Sequence, residues 1–149
     1  MMTQEQKKIG FALIKVITEQ FAIIDSSYQE GKSIELKIGL KFGSNTENRN
    51  ISAIFLTQLI QEGVPFLILE VACHFNIEEF AWNNFLNKDS GVITIPKGFL
   101  SHLVMLTIGT ARGVLHSKTE NTPYNKYLLP TLNVSDLVNN DLILKSHTV

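Results

Sequence analysis

The sequence predicts an α+β domain: four strands first, then one long helix, then a shorter helix near the end. Two patterns carry that prediction. From Ile34 to Phe42 apolar and polar residues alternate strictly, which puts Ile34, Leu36, Ile38, Leu40 and Phe42 on one strand face and Glu35, Lys37 and Lys41 on the other. After Thr94 the apolar residues recur instead at three- and four-residue steps, the period of a helix. A sheet with one apolar face needs a cover, and the helix is available to supply it. Strands followed by helices, not interleaved with them, argue an antiparallel sheet.

Residues 9 to 25 form the first strand. Phe11, Leu13, Ile17, Phe21 and Ile23 share one parity, while Lys15 and Glu19 interrupt that face. The segment is longer than the usual strand of about 3–10 residues, so a bulge or bend is expected near Thr18 to Gln20. Ser26 to Lys32 reads as a loop, residues 33 to 43 as the second strand, and Gly43 to Asn50 as a polar turn. Residues 51 to 62 give the third strand, Glu62-Gly63-Val64-Pro65 a tight turn, and residues 66 to 77 the fourth strand. Leu67, Leu69, Val71, Cys73, Phe75 and Ile77 share one parity there. Connections of hairpin length favour an antiparallel meander.

Residues 78–91 read as a crossover loop that holds Phe80, Trp82 and Phe85 among Asn83, Asn84 and Asn87. Thr94 fits an N-cap, with Pro96 in the first turn of a helix running to Lys118. Phe99, Leu103, Leu106 and Thr110 make one apolar stripe along it, and Leu100, Val104, Ile108, Ala111 and Leu115 a second, so two of its sides should be covered. Pro123, Tyr124, Tyr127 and Pro130 follow without a period. A short helix beginning at Asn133 or Ser135 closes a single domain of residues 1–149, behind a polar N-terminal tail at residues 1–8.

A chain of 149 residues is long enough to bury a core as one domain. A net charge of −1 gives no field to attract nucleic acid or an anionic membrane. The single cysteine, Cys73, excludes an intramolecular disulfide framework. The polar start is not a signal peptide, and no stretch is expected to match the roughly 20 apolar residues of a membrane-spanning helix. A cytoplasmic protein that neither enters the membrane nor binds nucleic acid is the expectation.

Catalytic and metal-binding readings find little support. Cys73 and His74 are neighbours in a strand, so their side chains point to opposite faces and cannot act as nucleophile and base. His102 and His116 would stand roughly 21 Å apart along one helix, too far to share a metal. No enzyme, no cofactor and no metal are expected. Gly109-Thr110-Ala111-Arg112-Gly113 lies inside the helix, not before it, and so is no phosphate cradle. Gly98, Gly109 and Gly113 fall on one side of the helix, where each costs about 0.5–1 kcal/mol relative to alanine. Their alignment suggests close approach by another backbone, either the sheet or a second copy of the chain. Arg112 reads as exposed or ion-paired.

The order of weak motifs in the last two-thirds of the chain resembles that of SecB, the bacterial preprotein-export chaperone, and its stand-alone relatives. Leu69-Glu70-Val71 leads to Phe75-Asn76-Ile77; Ile95-Pro96-Lys97-Gly98-Phe99-Leu100 opens the long helix; Leu128-Leu129-Pro130 and Asn133-Val134 with Leu137 follow it. The resemblance implies an antiparallel sheet backed by helices, and a homotetramer built as a dimer of dimers with the long helices at the interface. Gly98, His102, Met105, Gly109 and Gly113 would then lie in that interface. It also implies ATP-independent capture of unfolded polypeptide, in an apolar groove lined by Phe75, Phe80, Trp82 and Phe85. The departures are Leu100-Ser101-His102-Leu103-Val104 where the family has Phe-Pro-Tyr-Ala-Arg, and a near-neutral charge where SecB is acidic. The second counts against contact with the export motor SecA. A dedicated chaperone of one labile partner, of the toxin–antitoxin type, and an oligomeric scaffold without clients are the alternatives.

Overall fold

A computed structural model describes residues 8–145, so all but Lys8 of the expected polar tail lies outside the described residues. Strands β1 (Phe11–Ile23), β2 (Glu35–Asn45), β3 (Asn50–Gln61) and β4 (Val64–Ile77) form one antiparallel sheet in the order β1-β4-β3-β2. The α+β class and the order of strands, long helix and short helix are as the sequence predicts. The meander is not. Only β2, β3 and β4 are joined as hairpins; β1 lies beside β4, and residues 24–34 carry the chain across the end of the sheet to the far edge. That connection exceeds a hairpin loop, and Tyr28 within it is packed against Phe66, Tyr124 and Tyr127. Between β3 and β4, Glu62 (φ 50°) and Gly63 (φ 79°) take the two left-handed positions of a tight hairpin turn, which is why a glycine stands there.

The expected break in β1 is real, and it is double. Pairing with β4 shifts between Leu13 and Lys15 and again between Thr18 and Gln20. The first shift turns Lys15 to the outer face opposite His74 and brings Val16 to the inner face opposite Cys73. The second returns Phe21 and Ile23 to the inner face, opposite Leu69 and Leu67. Two charged residues that would otherwise face the core are thereby kept out of it. Ile17 goes to the outer face with Lys15, against the simple parity of the sequence. Ile34 falls just outside β2 and is exposed.

The inner face is built by Ile51, Ala53 and Phe55 from β3 with Leu67, Leu69, Val71, Cys73, Phe75 and Ile77 from β4, all fully buried. Helix α2 (Lys97–Thr119) packs on these two strands. It buries Phe99, Leu100, Leu103, Val104, Thr107, Ile108, Ala111 and Leu115, one broad face where two separate stripes were expected. Thr107 is tolerated in the core because its hydroxyl donates to the Leu103 carbonyl at 2.8 Å. At 23 residues and a mean hydropathy of 1.3, α2 is long and apolar enough to cross a membrane by length and composition, contrary to expectation. Here its buried face forms the core.

The residues read as a crossover loop contain a helix, α1 (Glu79–Phe85), which buries Ala81 and Trp82. Thr94 is not an N-cap. It lies in a short strand, β5 (Val92–Ile95), paired with β6 (Leu142–Lys145) near the end of the chain. The first N–H of α2, from Lys97, instead donates to Asp141 Oδ1 at 2.8 Å. The closing helix, α3 (Val134–Leu137), is a single turn whose N-cap Asn133 accepts from the Ser135 N–H at 3.2 Å. Arg112 is turned onto the chain that follows its helix, donating to the carbonyls of Leu129 and Pro130 at 3.2 and 3.1 Å.

Tyrosines brace the end of the sheet where β1 and α2 both finish. The hydroxyls of Tyr28 and Tyr127 are 2.6 Å apart, Tyr28 donates to Glu30, and Tyr124 donates to Asp25. The bond to Tyr127 pushes the Tyr28 phenol up to about 12, and the Asp25 carboxylate pushes Tyr124 up to about 12. Both exceed the ordinary phenol value, so above pH about 10 the folded state holds protons that the unfolded chain has lost. Their contribution is complete below pH 10 and disappears as pH rises through 12. Thermal melts should therefore fall steeply between pH 10 and 12, and the Tyr28→Phe, Tyr124→Phe double variant should flatten that slope. An unchanged slope would remove the phenols from the explanation.

Candidate functional site

Strand β1 and helix α2 begin at the same end of the molecule. There the Phe11 ring meets Phe99 at 5.5 Å and the His102 ring at 5.6 Å, both edge-on. They also finish at the same end, at the tyrosine brace. Between these two pins α2 lies over β3 and β4 and does not pack along β1. The inner face of β1 is therefore bare in its middle.

What remains open is an apolar trough. Leu13 (47% exposed) and Val16 (44%) border it from the strand and Leu106 (39%) from the helix; Ile14 (54%) stands at the first bulge, and Met105 (54%) lies on the solvent-facing stripe of α2. No Asp, Glu, Lys or Arg occurs in α2 from Gly98 to Ala111, and the bulge has turned Lys15 to the other face of the sheet. Covering each of these half-exposed side chains with an apolar partner would contribute roughly 1 kcal/mol, from about 25 cal/mol per Å².

The residues expected to line a peptide groove are placed differently from one another. Phe75 is fully buried, its ring 6.0 Å from Phe11. Trp82 is buried beneath α1. Phe85 is half-buried, with its ring 6.0 Å from that of Phe99. Phe80 is exposed on the outer side of α1. Phe11, Phe75, Phe85 and Phe99 thus form one aromatic group at the mouth of the trough. Gly98, His102, Met105, Gly109 and Gly113 are all exposed and follow one stripe along α2. Nothing lies within 4 Å of the position a Cβ would take at Gly98, Gly109 or Gly113, so the chain's own sheet is not the close neighbour of this stripe.

Sequence reasoning missed Leu13, Val16 and Leu106. The signal lay in Lys15 and Glu19: keeping both out of the core demands two extra residues in the strand, and a bulged edge strand is a poor seat for a helix. Cys73 is buried on the inner face, while His74 faces outward between its cross-strand partners Lys15 and Ser52. Among the described residues, no group of three or more His, Cys, Asp or Glu side chains is placed to hold a metal ion.

No family model matches the chain, and no curated protein matches it. Among solved structures, it is similar to the Mycobacterium tuberculosis Rv1957 SecB-like chaperone in complex with a ChAD peptide from the Rv1956 HigA1 antitoxin. The likeness has a TM-score of 0.49 at 7% identity and covers 83% of this chain and 91% of that one.

Burial separates the stability roles of these residues. Trp82→Ala should cost about 3–5 kcal/mol, the usual effect of truncating a buried aromatic ring. Met105→Ser, on the exposed stripe of α2, should change stability by less than about 0.5 kcal/mol. Urea unfolding of the two variants checks the assignment; equal costs would mean that Met105 is covered in solution.

Proposed function

We propose that this protein is a SecB-like, ATP-independent chaperone that holds extended apolar segments of unfolded or partly folded polypeptides by binding alone, without covalent chemistry. The uncovered apolar side chains between β1 and α2 carry the reading: Leu13, Val16 and Leu106 are exposed there, and no Asp, Glu, Lys or Arg stands in α2 from Gly98 to Ala111. The order of motifs that resembles SecB supports it independently. Phe85 and, further out, Phe80 extend the contact at the mouth, with Phe75 and Trp82 backing them from the core. A reduced, alkylated protein that cannot fold is the appropriate client. Leu13→Ser combined with Leu106→Ser should leave the far-UV spectrum and melting temperature near those of the parent and at least halve suppression of client aggregation. Full suppression by the folded variant would overturn the trough as the binding site.

A second observation favours a homo-oligomer, which we propose to be a dimer of dimers. Three glycines aligned on an exposed helix stripe, with nothing of their own chain nearby, leave room for a second backbone at close range. Gly109→Leu should shift the size-exclusion peak to smaller species. Unchanged elution would mean that the stripe is not an interface.

A further inference from the structure

We propose that the outer face of the four-stranded sheet is a second self-association surface, on which another copy of this chain packs sheet against sheet about a two-fold axis. The inference rests on the homo-oligomer reading and deepens it. A dimer of dimers needs two different contacts, and the glycine stripe of α2 supplies only one.

Strand pairing sets the side chains of this face in rows. One row runs Ile17, Ala72, Ile54, Lys41 from β1 across to β2, and the next runs Gln20, Glu70, Leu56, Gly39. Ile17, Ile54 and Leu56, with Ile68 further along, are half-buried, yet none of them packs on the core. A solvated sheet face ordinarily carries polar residues at such positions. Here Ile54, Leu56 and Ile68 stand on the two central strands, while Lys15, Lys37 and Lys41 stand on the edge strands.

The charges on this face match the face itself. Among the described residues, neither Glu70 nor Lys41 has an ion-pair partner, and both border one open hollow that Ile54, Leu56 and Gly39 also line. A half-buried carboxylate beside apolar side chains is costly unless a cation meets it. With strands about 4.8 Å and rows about 7 Å apart, Glu70 and Lys41 stand roughly 12 Å from each other. The line midway between them crosses β3 between Ile54 and Leu56. A two-fold axis along that line lays each Glu70 on Lys41 of the second copy and turns the apolar centre onto itself.

The same axis sets Leu56 over Gly39 of the second copy, where no side chain stands in the way. Lys15 and Lys37 fall at the two ends of the axis, at the rim, where their long side chains reach water. Strands of the two sheets then cross at roughly 70°, close to the orthogonal class of sheet packing. A face of about 20 by 25 Å gives roughly 1,000 Å² over both copies, the lower bound for a specific contact. Self-matching charge singles out a second copy over an unfolded client, which has no fixed cation to set against Glu70.

The light-scattering mass of the full-length protein tests this. Glu70→Lys and Lys41→Glu should each halve the mass and keep the parental far-UV spectrum, since either one sets like charges across the axis. Both substitutions in one chain, or the two single variants mixed in equal amounts, should restore the parental mass, because opposite charges meet again. Single variants that keep the parental mass overturn the proposal, and so does a loss that neither the double variant nor the mixture repairs. If the single variants keep their mass but lose suppression of client aggregation, the face belongs to clients and the second-copy assignment fails. The two contacts separate cleanly: Gly109→Leu alone should leave dimers, and adding Lys41→Glu should give monomers. A mass that falls with Lys41→Glu but not with Gly109→Leu removes the helix contact and keeps this one.

Discussion

The width of a helix against the width of a sheet governs this molecule. Strands spaced about 4.8 Å apart make a four-stranded sheet nearly 20 Å across, whereas a helix with its side chains spans about 10 Å. One helix can roof two strands, and α2 roofs β3 and β4. The inner faces of the two edge strands must be covered by something else or left bare. On the β2 side, Leu36, Ile38, Leu40 and Phe42 are half-buried, and the irregular C-terminal segment borders Phe42. On the β1 side the two ends are packed, but Leu13 and Val16 in between are left exposed. The open trough thus follows from having a single long helix for an apolar face of four strands.

How much of this could be read in the amino acids depends on whether the signal was local. Local pattern placed β2, β3 and β4 within two residues of their observed ends, although the β3–β4 pairing shifts between Leu59 and Ile60. The long helix was equally plain. Its start was misplaced because Thr94 resembles a cap in isolation; the acceptor at Lys97 comes from Asp141, forty-four residues on. Strand β6 and its pairing with β5 were invisible for the same reason, since four residues show no period and only a distant partner makes them a strand. The sheet order was misread because loop length alone does not tell a hairpin from a crossing. That required knowing where Tyr28 would be anchored.

The candidate site was legible only in outline. The aromatic run at residues 80–85 drew attention by its side-chain type, yet the helix that forms there hides Trp82 and turns Phe80 outward. What remains open is made of ordinary residues, Leu13, Val16 and Leu106, whose importance lies in what fails to cover them. Composition cannot reveal a missing neighbour. The glycine stripe was more informative, because an aligned loss of side chains carries a cost in any helix and calls for a reason.

The two bulges of β1 have one more outcome, which concerns how this chain can change length. Thirteen residues of β1 run against the eleven positions from Leu67 to Ile77. Loss of either Ile14 or Glu19 would merely straighten the strand, since the residues on both sides already pair with consecutive positions of β4. The same deletion in β2, which pairs with β3 without a shift, would swap every side chain beyond it between water and interior. Shortening is thus harmless at one margin of the sheet and ruinous at the other, and related chains should differ in length along the first strand before they differ along the second.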